Sequence, residues 1–561
     1  MPTSTARERK KKKKKKRDLL RIKSARTPCL QYLDTPTTNM NLNDTSLALL
    51  ASSMDSTAGF LKTKLSGIWK CTSWWQVLIT LTLGVIVYDQ VLYLLKKGTI
   101  AGPRFKVWPV IGPFLESLDP KFEEYMEKWN SGPLSCVSIF HKFVVIASSR
   151  DLARKILSSP KYVKPCVVDV AVKILRPTNW VFLDGKAHVD YRRSLNGLFS
   201  QKALEIYIPV LEKYMDIYLD RFIGYEGPRT FFPEFRELLC ALSLRTFCGD
   251  YITEEQIALI ADNYFKITAA LELVNFPIII PYTKTWYGKK IADDTMKIFE
   301  SCAAKAKKHI NEEGGKPGCV MDEWIYLMKE ARANHKEDPD SKLLIRDFSN
   351  KEISEVIFTF LFASQDASSS LACWLFQIVA DRPDIARKIR EEQLLVRDND
   401  PLRPLTLEMI NKMKYTNCVV KESLRYRPPV LMVPYVVKQS FPVTLEYTAP
   451  KGSMIVPTLY PALHDPEVYP EPDSFIPERW ENPTGDMDKR SWLVFGTGPH
   501  VCLGKVYVLM MFTGMLGKFL MNSEIKHTVT PLSEKIKVFA TIFPKDDLIL
   551  EWTARNPHSL D

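Results

Sequence analysis

Apolar residues are spread unevenly along the chain, and the unevenness divides it. The first stretch is rich in Lys, Ser and Thr and has no apolar period, so residues 1–60 read as a disordered tail. An abrupt change follows at "WWQVLITLTLGVIVYDQVLYLLKK", residues 74–97. It offers roughly 22 mostly apolar residues, enough for one helical crossing of a bilayer. Trp74 and Trp75 suit one interface, while Tyr93, Lys96 and Lys97 suit the other. Asp89 breaks the pattern, near the end that can be hydrated. The stretch begins too far into the chain for a signal peptide, and no small-residue cleavage site follows it. It reads as a transmembrane anchor over 74–96. Its orientation stays open: Lys62, Lys64 and Lys70 on one flank compete with Lys96, Lys97, Arg104 and Lys106 on the other.

"GTIAGPRFKVWPVIGP" then has no periodicity and is dense in Gly and Pro, which predicts a stiff linker over 97–113. No second linker appears, so 114–555 is expected to form one large domain. "SIFHKFVVIAS" predicts a small hairpin, and helical periodicity dominates the remainder. The longest helix is expected between a capping box, Ser349 with Glu352, and Pro383. It is about 30 residues, or roughly 45 Å, and apolar nearly all round, as a helix through the core would be. Yet its middle carries Ser364, Gln365, Asp366 and Ser368. Polar groups at such a place need partners, water or a task. A second apolar patch, residues 271–290, is broken by Pro277 and Pro281 and reads either as a core loop or as a membrane-dipping flap.

Charge changes this picture little. The net charge is +12, but "RERKKKKKKKR", Arg7 to Arg17, holds ten Lys or Arg against one Glu. That run is either a solvated tail or a contact for an anionic membrane surface. The rest is nearly balanced and lacks the aromatic-interleaved basic motifs of a nucleic-acid reader, so nucleic acid is excluded as a partner. Eleven cysteines form no C-x-x-C pair, the usage of a reducing compartment rather than of a disulfide framework or a structural zinc site.

One of those cysteines stands apart. "FGTGPHVCLGK" sets Cys502 among Gly496, Gly498 and Gly504. A nucleophilic cysteine needs a base; His500 is near, but no Asn or Asp partner is identifiable. A structural cysteine would not need the glycines. A ligand to a large flat cofactor would, because glycines let the backbone approach a planar face. The apolar helix expected after Gly504 would aim its N-terminus at the sulfur and favour the thiolate.

The pattern Phe495-x-x-Gly498-x-His500-x-Cys502-x-Gly504 resembles the haem-binding loop of the cytochrome P-450 superfamily. Two further motifs accompany it in the order expected: Glu422-x-x-Arg425 in "KESLRYRPP", and Arg479 in "FIPERW". The resemblance covers about 100 to 555. It implies a mainly α fold with small β-sheets, preceded by a single N-terminal transmembrane helix. It implies haem b bound through the Cys502 thiolate, with O2 and NADPH as co-substrates. Glu422, Arg425 and Arg479 would form a buried network supporting the haem pocket. His188 and Arg192 in "GKAHVDYRRSL", with His500, would meet the haem propionates. The oxygen-handling helix departs from the family form: the acid is kept as Asp366, but Ala367 stands where Thr is usual and Ser368 follows. Asp366 with water, or Ser368 through a local helix distortion, would replace the usual proton relay.

"WLVFGTGPHVCLGK", "HTVTPLSEKIKVFATIFPKDDL" and "FASQDASSS" together resemble the fungal sterol C-22 desaturases. That likeness implies a C-22/C-23 double bond placed in an ergosta-type sterol. A sterol hydroxylase or 14-demethylase, or a haem or sterol binder without turnover, are the alternatives. Pocket candidates are Phe362, Ala363, Val430, Leu431, Met432, Val433, Phe539 and Ile542. Electrons would come through NADPH–cytochrome P-450 reductase, with cytochrome b5 assisting. The reductase would dock at Lys186, Arg193, Lys489, Arg490 and Lys505. The resemblance places the chain in the endoplasmic reticulum membrane, single-pass, with a cytosolic catalytic domain.

Overall fold

A computed structural model describes residues 73–106, 108, 110–113, 116, 119–140, 142–166, 169–271, 278–334, 347–539 and 541–558. The expected tail over 1–60 lies outside these. The described residues from 84 onward form one compact unit.

Helix α1, Trp74–Lys97, follows the apolar run, and its large apolar side chains from Trp74 to Tyr88 are exposed almost throughout. That is the face a bilayer would cover. Its last turns are not free. The Asp89 carboxylate accepts from the Lys106 ammonium at 3.1 Å and from the Val110 N–H at 2.9 Å. The Gln90 side-chain amide pairs both ways with the Lys106 backbone, and the Tyr93 hydroxyl donates to the Pro103 carbonyl. Asp89 is therefore a docking residue, not a hydrated flaw in the span.

The same contacts correct the linker expected over 97–113. Lys106 is buried, with two further bonds to the Val110 and Phe140 carbonyls. Ala101 pairs in parallel with Ser135. Packing thus begins at residue 84, not at 114.

Helix α2, Phe122–Asn130, precedes the expected hairpin, β1 Leu134–Ile139 and β2 Lys142–Ala147, paired antiparallel with Val137 opposite Val144. Strands β3 (Val163–Pro165), β4 (Tyr435–Val437) and β5 (Met454–Pro457) complete a sheet of order β1-β2-β5-β4-β3. β2 runs parallel to β5 and is buried on both faces, as parallel pairing requires.

Helices make up the rest. α3 is Gly185–Asn196, α4 Phe232–Cys248, α5 Glu254–Ala269 and α6 Lys284–Asn311. α7, Asn350–Ala380, is the expected long helix, and its capping box forms: the Ser349 Oγ accepts from the Glu352 N–H, and the Glu352 carboxylate accepts from the Ser349 N–H. α4 and α6 pack along it, which buries it nearly all round. α8, Lys414–Tyr426, packs beside it, and α9, Lys505–Asn522, packs against α8. α7 is apolar enough to cross a membrane, but 78% of its most apolar window is buried inside the protein, so it is a core helix. In the second apolar patch, residues 272–277 lie outside the description. Ile278, Ile280 and Tyr282 after them are exposed, which removes the core-loop reading for those three.

Candidate active site

The Cys502 loop is built from two short turns, Leu493–Phe495 and Gly498–His500, that deliver the chain to α9. Gly498 sits at φ +76°, and a Cβ there would stand 2.6 Å from the Leu157 carbonyl oxygen. No other residue fits that position without strain. The Cys502 N–H donates to the Phe495 carbonyl at 2.9 Å, closing the loop. Phe495 is held edge-on to Trp492, and the Lys505 ammonium lies over both rings.

Protein surrounds the Cys502 sulfur, and this burial pushes the thiol's pKa up. The N–H groups of Gly504 and Lys505, and the charge of Arg192, pull it the other way. Yet Cys502 is exposed, because one side of it faces open space. A Cβ at Gly504 would likewise meet nothing within 4 Å. A thiol beside N–H donors, with one face open, fits the thiolate ligand of a haem.

α3 closes one side. The Arg192 Nη2 donates to the Val501 carbonyl at 2.5 Å, so Arg192 holds the Cys502 loop directly. The rings of His188 and His500 lie 3.9 Å apart. Burial, then the His188 neighbour, lowers His500 to about 4; burial, then Arg192, lowers His188. Both rings are neutral at pH 7 and can donate hydrogen bonds to carboxylates. Trp180, stacked 6.1 Å from His188, was not visible as a site residue from its spacing alone.

Behind the loop, Glu422, Arg425 and Arg479 meet as expected. The Glu422 carboxylate receives two bonds from Arg425 at 2.8 and 2.9 Å and one from the Arg479 Nε at 3.0 Å. Two more come from the Trp480 Nε1 and the Ile476 N–H. The remaining Arg425 donors reach the carbonyls of Leu463, Pro472 and Ser474. Trp480 is the member that sequence reasoning missed; its place directly after Arg479 was the available signal.

The middle of α7 has two faces. Ala363 is exposed at the centre of an otherwise buried helix, and Ala367, one turn on, is half-buried. These two mark an open side. On the opposite side the Gln365 amide donates to the Arg236 carbonyl of α4. Asp366 lies on the flank: its carboxylate pairs with the Arg236 guanidinium at 2.5 Å and accepts from the Thr268 hydroxyl of α5 at 2.9 Å. Ser364 bonds to Ser243 of α4. Ser368 is buried and rotated by about 100° from Ala367. The distortion needed to bring it to the open side is absent, since α7 is unbroken from 350 to 380.

Of the pocket candidates, Phe362, Val430, Met432, Val433 and Phe539 are half-buried and keep surface to offer. Leu431 and Ile542 do not: both pack with Trp374 in a separate cluster, and Ile542 is fully enclosed, its carbonyl bonded to Ser370 and Trp374. They are core residues, not pocket walls. Around the proposed docking surface Lys186, Arg193, Lys489 and Arg490 are exposed, whereas Lys505 is half-buried.

Comparison with known proteins agrees with this geometry. The cytochrome P450 family model matches residues 102–550. A C-22 sterol desaturase of Candida albicans is 82% identical over 480 residues, covering 86% of this chain and 93% of that protein. One from Saccharomyces cerevisiae is 68% identical, covering 87% and 91%. Among solved structures, a retinoic acid-bound cyanobacterial CYP120A1 superposes with a TM-score of 0.68 at 20% identity, covering 80% of this chain and 98% of that one, a likeness of fold.

Proposed function

The chain belongs to the cytochrome P450 family, and on that footing we propose that it is a sterol C-22 desaturase, placing a double bond between C-22 and C-23 of an ergosta-type side chain. What carries this reading is the 82% identity with a desaturase of that name over 480 residues, 86% of this chain.

Haem, when bound at Cys502, supplies oxidation by O2. The protein's own residues do the rest. The Gly504 and Lys505 N–H groups and the N-terminus of α9 pull the Cys502 thiol toward the anion that haem would take, against the burial that raises its pKa. Arg192, His188 and His500 offer donors to the cofactor's carboxylates. Glu422, Arg425, Arg479 and Trp480 fix the segment that backs the loop. The open side of α7, with Ala363 and Ala367, gives the sterol side chain room and presents it no hydroxyl. Asp366 is the group that holds and moves a proton there, in place of the usual Thr; Ser368 has no route to the open side. Phe362, Val430, Met432, Val433 and Phe539 exclude water and place C-22. Placement decides the product, because removal of the second hydrogen competes with hydroxylation at nearly the same geometry.

Electrons come from NADPH through a diflavin reductase docked at Lys186, Arg193, Lys489, Arg490 and Lys505, with cytochrome b5 assisting. α1 anchors the protein once in the endoplasmic reticulum membrane, with the catalytic unit cytosolic. The test is reconstitution in membranes with reductase, NADPH and an ergosta-5,7-diene sterol, followed by mass spectrometry. A product lacking two hydrogens, with a new side-chain alkene, is expected. A product carrying one added oxygen would make the protein a hydroxylase instead.

A further inference from the structure

Both oxygens of the Asp366 carboxylate are engaged by other helices. One pairs with the Arg236 Nη1 of α4 at 2.5 Å, and the other accepts from the Thr268 hydroxyl of α5 at 2.9 Å. Round α7, Asp366 stands about 60° from Ala363 and about 100° from Gln365, whose amide donates to the Arg236 carbonyl at 2.7 Å. Asp366 therefore sits at the edge between the open side and the side that α4 covers, and its partners decide which way it turns.

Arg236 is placed to do the holding. Its guanidinium carbon lies 5.4 Å from the centre of the Phe232 ring and 5.9 Å from that of Tyr264, within cation–π range of both. Its side chain is only 12% exposed, so solvent screens the ion pair with Asp366 little. Among the described residues, Asp366 is the one acceptor of that side chain, and the Nη2 is buried without a partner. Arg425, by contrast, ties its donors to three main-chain carbonyls as well as to Glu422. Arg236 is committed to a single carboxylate. Tyr264 and Thr268 stand one turn apart on one face of α5. Burial, and then the Asp366 charge, pushes the Tyr264 phenol up, so it stays an O–H beside the pair.

We propose that Arg236 is a positioning residue of the reaction. By holding one Asp366 oxygen it sets the rotation of that side chain and keeps the other oxygen at Thr268. It so fixes how Asp366 stands to the open side of α7, where the proton is used, a role that rests on Asp366 being the proton-holding group. Arg236 moves no proton itself, because its guanidinium keeps its charge. Without it Asp366 has one side-chain partner, Thr268, and no fixed direction. Oxygen is then reduced without oxidising the sterol.

The experiment compares Arg236→Met, Arg236→Lys, Asp366→Asn and the double variant Arg236→Met with Asp366→Asn, each as the full haem-loaded chain in membranes with reductase and NADPH. Oxidised sterol formed per NADPH is read beside hydrogen peroxide and the thermal unfolding temperature. Arg236→Met should lower product per NADPH by about tenfold, with hydrogen peroxide rising. Arg236→Lys, which keeps the charge, should recover most of it. Driven by iodosylbenzene, which brings an oxygen atom that needs no proton, Arg236→Met should match the parent. In the Asp366→Asn background, adding Arg236→Met should change coupling by less than about twofold, because the partner it acts through is gone. The double variant should also unfold at a higher temperature than Arg236→Met, since it buries no lone charge. Where Arg236→Met alone fails to hold haem, the double variant against Asp366→Asn decides. A further tenfold loss there would overturn the proposal. So would an iodosylbenzene reaction that falls as far as the NADPH one, which would mean that Arg236 only shapes the pocket. Asp366→Asn with the parent's coupling would sink the role given to Asp366, and that of Arg236 with it. An impaired Asp366→Asn beside an Arg236→Met that couples normally would sink the role of Arg236 alone. Coupling is counted for whichever product forms, so the outcome stands whether the enzyme desaturates or hydroxylates.

Discussion

Glu422 and Asp366 are both buried on core helices and face arginines, and they differ in what is left over. Glu422 takes five donors, and its partner Arg425 spends its remaining bonds on main-chain carbonyls. Asp366 takes Arg236 and Thr268, and beside it the Arg236 Nη2, the Tyr264 hydroxyl and the Gln365 Oε1 are buried without partners among the described residues. An unpaired buried polar atom is costly, so a saturated set is built to hold and an incomplete one is built to take water or to change. Position agrees. Glu422 backs the cysteine loop, whereas Asp366 flanks the open side of α7.

Glu422→Gln breaks the comparison hardest. It strands Arg425 and Arg479 and should cost about 3–5 kcal/mol, read as a fall in thermal unfolding temperature and loss of haem incorporation. A variant as stable as the parent would erase the distinction between the two sites. Asp366→Asn should cost less, about 1–2 kcal/mol, because it leaves one arginine without its carboxylate where Glu422→Gln leaves two. Its turnover should nevertheless fall by at least about 100-fold, the lower range for losing a positioned acid or base. Thr268→Val keeps shape and removes one donor to Asp366. A loss of about tenfold in product formed per NADPH is expected, with Thr268→Ser restoring it. Equal behaviour of Val and Ser would mean that Thr268 only packs.

The same contrast explains what could be read from the chain. The Glu422 network was legible because Arg425 stands three residues from Glu422 and because Arg479, 57 residues on, completes residue types with few other reasons to recur in that order. The Cys502 loop was legible because glycine at Gly498 answers a backbone need as well as a chemical one. Asp366 could be named but not its partners: Arg236 and Thr268 lie 130 and 98 residues away, on helices whose rotation about α7 no local pattern fixes. Ile542 and Leu431 misled because an apolar residue in a loop looks the same whether it walls a pocket or fills a core. Asp89 misled in the opposite sense. Inside an apolar run it read as a flaw, and only the fold supplied Lys106. The linker over 97–113 failed for a related reason: Gly and Pro mark an irregular path, and here it is packed, not free.

The last effect concerns a proton. His464 stacks on Tyr460 at 3.9 Å, next to the Leu463 carbonyl that Arg425 holds. Its Nδ1 lies 3.0 Å from the Tyr460 carbonyl, while its Nε2 is buried without a partner. Burial, and then Arg425, lowers its pKa from 6.5 to about 3. The sign follows from proton counts. Above pH 6.5 both folded and unfolded chains carry the neutral ring, so the group adds no slope. Between 6.5 and about 3 the unfolded chain takes a proton that the folded one refuses, so stability falls as pH falls, by up to about 1.4 kcal/mol per pH unit. Denaturant unfolding at pH 5 and pH 7 should show this decline, and His464→Gln should reduce it. An unchanged slope in the variant would mean that His464 accepts its proton without penalty. Water would then reach the neighbourhood of Arg425, and the saturated site would be less closed than its hydrogen bonds indicate.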